Sequence, residues 1–128
     1  MRKPLNIDGA APAAGHYSHC VVANGFVFVS GQGPVDPATG RMPDDFAGQV
    51  RQTLNNVEAI LRGAGTDFSM AVKVNAYLSD VTRFAEYNEI YKEFFASAAP
   101  ARTTVGSQLI GILVEIDCIA ALPDAAQP

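Results

Sequence analysis

The 128-residue sequence has no tryptophan, two cysteines, two histidines and no long hydrophobic run. Its longest apolar stretches, residues 21–30 and 110–122, are interrupted by Asn24-Gly25 and by Glu115 and Asp117. Neither approaches the roughly 18 uninterrupted residues of a membrane span. The start of the chain also lacks the apolar segment of a secretory signal. We therefore expect a cytoplasmic protein with no membrane partner.

The few cysteines and histidines limit the chemistry that the chain can offer. Cys20 and Cys118 can form one disulfide, but in a reducing compartment we expect two small buried thiols that serve packing. His16 and His19 are spaced like a weak metal pair, yet no Cys or carboxylate cluster accompanies them. Ser18 has no orienting carboxylate near it in sequence, so no Ser-His-acid arrangement is indicated. We predict no metal site and no cofactor.

Positive charge is also scarce. Nine Lys and Arg against 13 Asp and Glu give a net charge of −4, and the cations are scattered along the chain. An acidic surface without a basic patch repels a nucleic-acid backbone. Nucleic acid is therefore not an expected partner.

The length and composition favour one globular domain spanning residues 1–128. Apolar residues make up 48% of the chain and charged residues 17%. This apolar content is enough to form a core and is too high for a disordered tail. Residues 8–15 and 123–128 are rich in small and turn-forming residues, so both segments are expected at the surface.

Local patterns predict most of the secondary structure. Asn24-Gly25 between two apolar runs is typical of a two-residue type I′ hairpin turn. Apolar residues three or four apart predict a helix that Asp44-Asp45 can cap and that ends near Gly63 or Gly65. A second helix of this kind covers residues 84–95 and stops before Pro100. Alternating or apolar segments predict strands at about residues 72–78, 102–107 and 112–121.

The predicted last strand has two unlike faces, one wholly apolar and one that carries Glu115 and Asp117. Two helices can cover only one side of the sheet, so the other side keeps these carboxylates, together with Lys73, Asn75 and Tyr77. Because such a half-polar face is not expected to stay in water, we predict that copies of the chain pack together through it. The fold class is α+β, with a mixed or mainly antiparallel sheet and two helices on one face.

Several short motifs occur in the order and approximate spacing of one protein family. They are Tyr17-Ser18, Val29-Ser-Gly-Gln32, Asp36-Pro-Ala-Thr-Gly40, Gln52-Thr-Leu-Asn-Asn56, Tyr87-Asn-Glu-Ile-Tyr91, Pro100-Ala-Arg-Thr-Thr-Val105 and Val114-Glu-Ile-Asp117. In this combination the chain resembles the RidA (YjgF) family over nearly its whole length. The resemblance implies a chorismate-mutase-like fold and a homotrimer with active sites in the clefts between subunits. It also implies cofactor-free hydrolysis of reactive 2-imino and enamine acids, such as 2-aminoacrylate, to 2-oxo acids and ammonia.

The resemblance gives catalytic roles to Arg102 and Glu115. The planar fork of an arginine can hold a substrate carboxylate with two hydrogen bonds, whereas a lone arginine is more often a surface residue. A glutamate inside an apolar strand is more often a paired structural charge. By resemblance, Arg102 binds the substrate carboxylate and Glu115 orients or activates the attacking water.

The resemblance also implies substrate-binding roles for five residues, namely Tyr17, Ser30, Gly31, Asn88 and Thr104. Tyr17 and Asn88 would line the pocket, and without the family they are a tyrosine at the edge of the core and an asparagine on a helix surface. The backbone around Thr104 would supply a carbonyl to the water. Ser30-Gly31 would offer backbone and hydroxyl contacts, although Gly-Gln-Gly alone is simply a turn.

The chain departs from the family pattern in several places. His16 replaces a usual proline, Gly106 stands where glutamate is frequent, and residues 107–112 form a shorter connection without the usual arginine. This connection predicts a less cationic site entrance that favours apolar substrate side chains.

The alternative function is a non-catalytic small-ligand sensor or chaperone-like member of the same fold, and an endoribonuclease role ranks third because of the acidic charge balance.

Overall fold

The computed structural model describes residues 1–124, which contain six strands and two α-helices. In chain order they are β1 (Arg2–Leu5), β2 (Cys20–Ala23), β3 (Phe26–Gln32), α1 (Phe46–Gly63), β4 (Ala71–Leu78), α2 (Phe84–Phe94), β5 (Ala101–Gly106) and β6 (Val114–Ala121). The strands form one sheet in the order β1-β2-β3-β6-β4-β5. Only β4 and β5 are parallel among these neighbours, which confirms the predicted α+β fold with a mixed sheet.

The turn between β2 and β3 follows from its two residues. Asn24 and Gly25 have φ angles of 52° and 80°. A type I′ turn requires positive φ at both central positions, which asparagine and glycine tolerate best. The predicted hairpin is confirmed, and it places Phe28 opposite Val21.

Helix α1 forms because its buried stripe is mostly apolar. Phe46, Val50, Leu54 and Val57 are each at most 2% exposed. The predicted side-chain cap is wrong: Asp45 is the N-cap residue, but its carboxylate makes no capping hydrogen bond. Burial of Phe46 at the first helical position sets the start of the helix through packing instead. Within residues 1–124, neither helix is long and apolar enough to cross a membrane.

The two faces of the sheet differ as the alternation predicts. On the side of the helices, residues such as Val74, Leu78 and Ile116 are fully buried. On the other side, called the open face here, lie the half-buried Lys73, Asn75, Tyr77, Glu115 and Asp117. Phe26 and Phe28 are 38% and 42% exposed, so the open face is also partly apolar. A large mixed surface of this kind is typical of contact between protein chains.

Both cysteines are buried free thiols, as the sequence predicted. Cys20 and Cys118 lie opposite Val29 on its two neighbouring strands. Two strand spacings separate the thiols by about 10 Å, which is too far for a disulfide. Burial raises the pKa of the Cys118 thiol to about 12. Both side chains therefore serve packing.

The strands differ from the prediction mainly at β1, which was missed, and at the start of β6; the bounds of β4 and β5 differ by one residue. The sequence did not predict β1, a short edge strand that contains Pro4 and lacks alternation, because only pairing with β2 makes it a strand. The last strand begins at Val114 rather than at residue 112. Leu113 belongs to the preceding loop, where its N–H donates to Gln49 Oε1 over 2.9 Å.

Candidate functional site

A cavity of about 1010 Å³ opens beside the open face of the sheet. Its walls are the segment between Ala11 and Tyr17, residues 30–35, and the loop that precedes β6, with Tyr77 and Glu115 between them. Four of the predicted site residues meet here, namely Tyr17, Ser30, Gly31 and Glu115. Glu115 is the only charged side chain among the lining residues that the structure describes. We call this space the glutamate cavity.

A β-bulge gives Ser30 and Gly31 their position in the glutamate cavity. Val29 pairs with Cys118 and Gln32 pairs with Ile116, so two residues of β3 face one residue of β6. Bulges re-aim side chains and backbone groups and are frequent beside active sites. The Ser30 hydroxyl donates to the Ser18 carbonyl over 2.6 Å, which leaves its lone pairs for a ligand.

Gly31 is in close contact with the Glu115 carboxylate. A Cβ atom on Gly31 would lie 2.5 Å from Glu115 Oε2 and 3.0 Å from Cδ. Only glycine leaves room for this approach. Within residues 1–124, the Glu115 carboxylate has no hydrogen bond or ion pair. The carboxylate is therefore positioned by packing and remains open to a ligand or water.

Tyr77 is a cavity residue that the sequence analysis did not assign to the site. It lies directly across from Glu115 in the β4–β6 pair, and its hydroxyl donates to Asp117 Oδ2 over 3.1 Å. Asn75 donates to the other oxygen of Asp117 over 2.8 Å. Burial raises the pKa of Tyr77, and the nearby Asp117 and Glu115 carboxylates raise it further. Tyr77 therefore stays protonated at neutral pH; alternation had shown only that it lies on the half-polar face.

Arg102 and Asn88 lie together in a second cavity, of about 430 Å³, called the arginine cavity here. Arg102 Nη1 donates to Asn88 Oδ1 over 2.8 Å, and the guanidinium carbon lies 4.8 Å from the Tyr91 ring centroid and 5.3 Å from that of Phe84. These contacts fix the plane of the guanidinium. No carboxylate of residues 1–124 forms an ion pair with it. The arginine is therefore an oriented cation without an anionic partner.

Thr104 lies on β5, the edge strand beside the arginine cavity. It pairs with Ala76, and Arg102 pairs with Val74, so both side chains project to the helix side of the sheet. Ser107 N donates to Leu78 O over 2.9 Å. Since successive residues of a strand direct their backbone groups to opposite sides, the carbonyl of Thr104 points away from β4 to the open edge. It is available to a ligand or to another chain there.

The structure does not bring the two predicted catalytic residues together within one chain. Arg102 projects to the helix side of the sheet and Glu115 to the open face. The register places Arg102 two strands away from β6 and three residues along it from Glu115. With ordinary strand spacing and rise per residue, their Cα atoms are about 14 Å apart. A substrate of a few ångströms cannot reach both groups in a single chain.

Two buried polar residues of α1 hold the loops of the glutamate cavity; the sequence analysis named Asn56 only as the end of a family motif and did not name Gln49. Asn56 Nδ2 donates to the carbonyls of Gly33 and Val35 over 2.9 and 2.7 Å. Gln49 accepts from the N–H of Leu113 over 2.9 Å. Gln49 and Asn56 are seven residues apart, on the apolar stripe of the helix. A polar residue at a helix position that the apolar spacing places in the core was the sequence signal that could have identified both residues.

The two histidines do not form a metal pair. His16 is exposed, whereas both ring nitrogens of the buried His19 lie within hydrogen-bond distance of backbone groups. In the described part of the chain, no three His, Cys, Asp or Glu side chains gather as metal ligands.

Comparison with known proteins agrees with the fold and the motifs. The sequence model of the family described as Endoribonuclease L-PSP matches residues 8–122. A RutC family protein of Pyrococcus horikoshii is 38% identical, with 94% of this chain and 98% of that protein aligned. The bovine protein named 2-iminobutanoate/2-iminopropanoate deaminase is 37% identical over 94% of this chain and 90% of its own length. The crystal structure of E. coli TdcF with bound serine has 35% identity, covers 94% of this chain and 99% of its own, and gives a TM-score of 0.88.

The match extends over nearly the whole chain in both sequence and fold. A crystal structure of the E. coli YjgF gene product also superposes with a TM-score of 0.87, at 36% identity. The chain therefore belongs to the Endoribonuclease L-PSP family, the family of RidA and YjgF.

Proposed function

We propose that the protein hydrolyses reactive 2-imino acids and their enamine tautomers to 2-oxo acids and ammonia. The observation that carries the proposal is the Arg102 guanidinium, which is held in a fixed plane by Asn88 and Tyr91 and lacks a carboxylate partner within residues 1–124. Bovine and rat relatives that are 37% identical are named 2-iminobutanoate/2-iminopropanoate deaminases. An oriented arginine suits the carboxylate that every 2-imino acid carries.

Arg102 binds and orients the substrate in this proposal. Two parallel N–H groups of the fork hold the carboxylate, and the adjacent C=N bond then lies in a defined plane. The hydrogen bond to Asn88 uses one N–H of Nη1 and limits rotation of the fork. Orientation of the C=N bond exposes one face of the imine carbon to attack by water.

Glu115 acts on the water. Its carboxylate accepts a proton as the water oxygen bonds to the imine carbon, and the electron pair of the C=N bond moves to nitrogen, which takes up that proton from the carboxyl group. In the resulting carbinolamine the hydroxyl proton passes to the amino nitrogen, the C–N bond breaks to release ammonia, and the C–O bond becomes the carbonyl of the 2-oxo acid. An enamine substrate first gains a proton on carbon to become the imine. Water is the only co-substrate, so the proposed reaction needs no cofactor.

The site is completed by a second copy of the chain in this proposal. Arg102 and Glu115 lie on opposite faces of one sheet, so a single small substrate can contact both only when they come from different subunits. Within residues 1–124 the outer edge of β5 is unpaired, and this edge and the partly apolar open face both offer surface for such contact. A homotrimer with three intersubunit sites meets this requirement.

The decisive experiment measures ammonia and 2-oxo acid released from freshly generated 2-aminoacrylate and 2-aminocrotonate, with and without the protein. We expect the protein to accelerate release of both products in equal amounts. Glu115→Gln is nearly isosteric and a far weaker base, so it should still bind carboxylate ligands but turn over at least about a hundred-fold more slowly. Normal turnover by a folded Glu115→Gln variant would remove the carboxylate from the mechanism.

Asp124→Asn is a suitable control, because it makes the same chemical change at an exposed carboxylate away from both cavities. It should turn over like the parent protein. If the parent protein binds carboxylate ligands but does not accelerate hydrolysis, the deaminase proposal fails. A non-catalytic ligand-binding member of the family would then be the better description.

A further inference from the structure

The wall of the glutamate cavity between Ala11 and Tyr17 belongs to a segment with little regular structure. This segment lies between β1 and β2 and contains no helix or strand. Within residues 1–124, every hydrogen bond that joins residues 7–13 to the rest of the chain ends on His19. His19 therefore provides the hydrogen bonds that hold this segment against the rest of the chain.

The imidazole of His19 makes two bonds to the segment, one on each ring nitrogen. The N–H of Ile7 lies 2.8 Å from Nδ1, and Nε2 lies 2.9 Å from the carbonyl oxygen of Ala11. An N–H group can only donate and a carbonyl can only accept, so the neutral ring must carry its proton on Nε2. The residue is 6% exposed, and water cannot easily replace these bonds.

The backbone of His19 extends the connection to the site. The N–H of Ser30 donates to the His19 carbonyl over 3.0 Å, at the bulge that lines the cavity. The Tyr17 hydroxyl accepts from the N–H of Ala14 over 3.0 Å, so the place of this ring depends on the wall segment. His19 thus lies between the bulge and the wall and is bonded to both.

We infer that His19 is a positioning residue that holds the wall of the glutamate cavity, and Tyr17 with it, in place for ligand binding. The side chain does not reach the reacting atoms and takes no part in proton transfer. For its kinetic consequences this inference rests on the proposed deaminase function, whereas its structural part stands independently. Loss of the two ring contacts should loosen the wall and weaken substrate binding, while the groups that carry out the chemistry stay in place.

The test compares His19→Leu with His16→Leu. The first variant removes both ring contacts, and the second makes the same change at His16, an exposed residue of the same segment that does not line the cavity. Amide hydrogen exchange should show protection of the Ile7 N–H falling about ten-fold or more in His19→Leu and remaining unchanged in His16→Leu. With 2-aminoacrylate as substrate, KM should rise on the order of ten-fold in His19→Leu while kcat changes by less than about two-fold.

Two amide variants separate the contacts and cover the case in which His19→Leu does not fold. Asparagine can place a carbonyl near the Nδ1 position, and glutamine can place an N–H near the Nε2 position. The N–H of Ala14, which bonds to Tyr17, reports on the wall that the Ala11 contact holds. His19→Asn should therefore keep the Ile7 N–H protected but speed hydrogen exchange at Ala14. His19→Gln should keep Ala14 protected but speed hydrogen exchange at Ile7. Both should have KM values between those of the parent protein and the leucine variant.

Unchanged protection of Ile7 and Ala14 across the folded variants, with KM like that of the parent protein, would overturn the inference. A fall in kcat at constant KM would also contradict it, because a wall residue should affect binding. If the parent protein does not hydrolyse imines, the deaminase proposal fails, and the exchange rates at Ile7 and Ala14 alone decide the role of His19.

Discussion

At the scale of single residues, the candidate site uses two charged groups that are held in different ways. Arg102 is fixed by a hydrogen bond to Asn88 and by two aromatic rings. Glu115 has no such partner within the described residues and takes its position from close contact with Gly31. Different substitutions should therefore disable the two groups.

Arg102→Lys should leave the fold intact and reduce kcat/KM by about ten- to a hundred-fold, since an ammonium keeps the charge but lacks the two parallel donors of the fork. Steady-state kinetics with 2-aminoacrylate measures this effect. Arg51→Lys is the matched control, because Arg51 forms an exposed ion pair with Glu93 at 2.7 Å and lines neither cavity. Equal kcat/KM values for Arg102→Lys and the parent protein would show that Arg102 does not bind the substrate carboxylate.

Gly31→Ala should displace the Glu115 carboxylate, because the new Cβ would lie only 2.5 Å from Oε2. We expect turnover to fall by at least about ten-fold with little change in thermal stability, since the flexible end of a side chain can move aside. Gly15→Ala tests the same change in the same cavity, where the nearest heavy atom to the new Cβ is 3.6 Å away. Gly15→Ala should stay active, and full activity of Gly31→Ala would argue against a catalytic position for Glu115.

At the scale of elements, the connection between β5 and β6 determines the character of the cavity entrance. Leu109, Ile110 and Ile112 line the glutamate cavity, and Ile110 is 99% exposed. No cationic side chain of the described lining residues faces them. The entrance therefore offers apolar contact and no partner for a second carboxylate.

The protein should process imines derived from leucine or methionine at least as efficiently as the smallest imine. Each additional buried methylene contributes up to about 0.8 kcal/mol, or roughly a four-fold gain in kcat/KM. An imine derived from glutamate should be a poor substrate, because Glu115 repels its second carboxylate. A panel of imines generated in situ by an amino-acid oxidase measures the order.

Ile110→Ala should lower kcat/KM for the leucine-derived imine and leave that for the alanine-derived imine unchanged. The small substrate thus serves as the internal control. A preference for the glutamate-derived imine would contradict the assignment of the entrance, even if deamination were established.

At the scale of the whole molecule, Arg102 and Glu115 lie on opposite faces of the sheet of one chain, so the proposed mechanism requires that two chains share each site. Copies of Arg102→Ala and of Glu115→Gln should each be inactive alone. Co-expressed in equal amounts, they should recover about a quarter of the parent activity, the fraction of random interfaces that keep both groups intact. Different affinity tags on the two variants allow mixed assemblies to be purified and assayed.

Mixed assemblies of two differently tagged Arg102→Ala chains are the control and should recover nothing. Absence of activity in verified mixtures of the two variants would contradict a shared site. Sedimentation equilibrium should give about 40 kDa, three times the chain mass of 13.5 kDa. A monomer at micromolar concentration would exclude the trimer.

The sequence by itself determined the elements whose patterns are local. The apolar stripe of α1, the Asn24-Gly25 turn and the unlike faces of β6 all follow from neighbouring residues, and the structure confirms each of them. Family motifs suggested the candidate site residues, and the match to the family confirms the resemblance. In contrast, β1 and the uncapped start of α1 were not predicted, since pairing and packing with distant residues decide them.

Only the tertiary structure decided how the site residues are arranged. Alternation shows which residues of a strand share a face, but the register between strands is required to relate Arg102 to Glu115, and it places them on opposite sides of the sheet. The same holds for the contact of Glu115 with Gly31 and for the bonds of His19 to Ile7 and Ala11. These contacts join residues that are eight or more positions apart in sequence, and no local propensity encodes them.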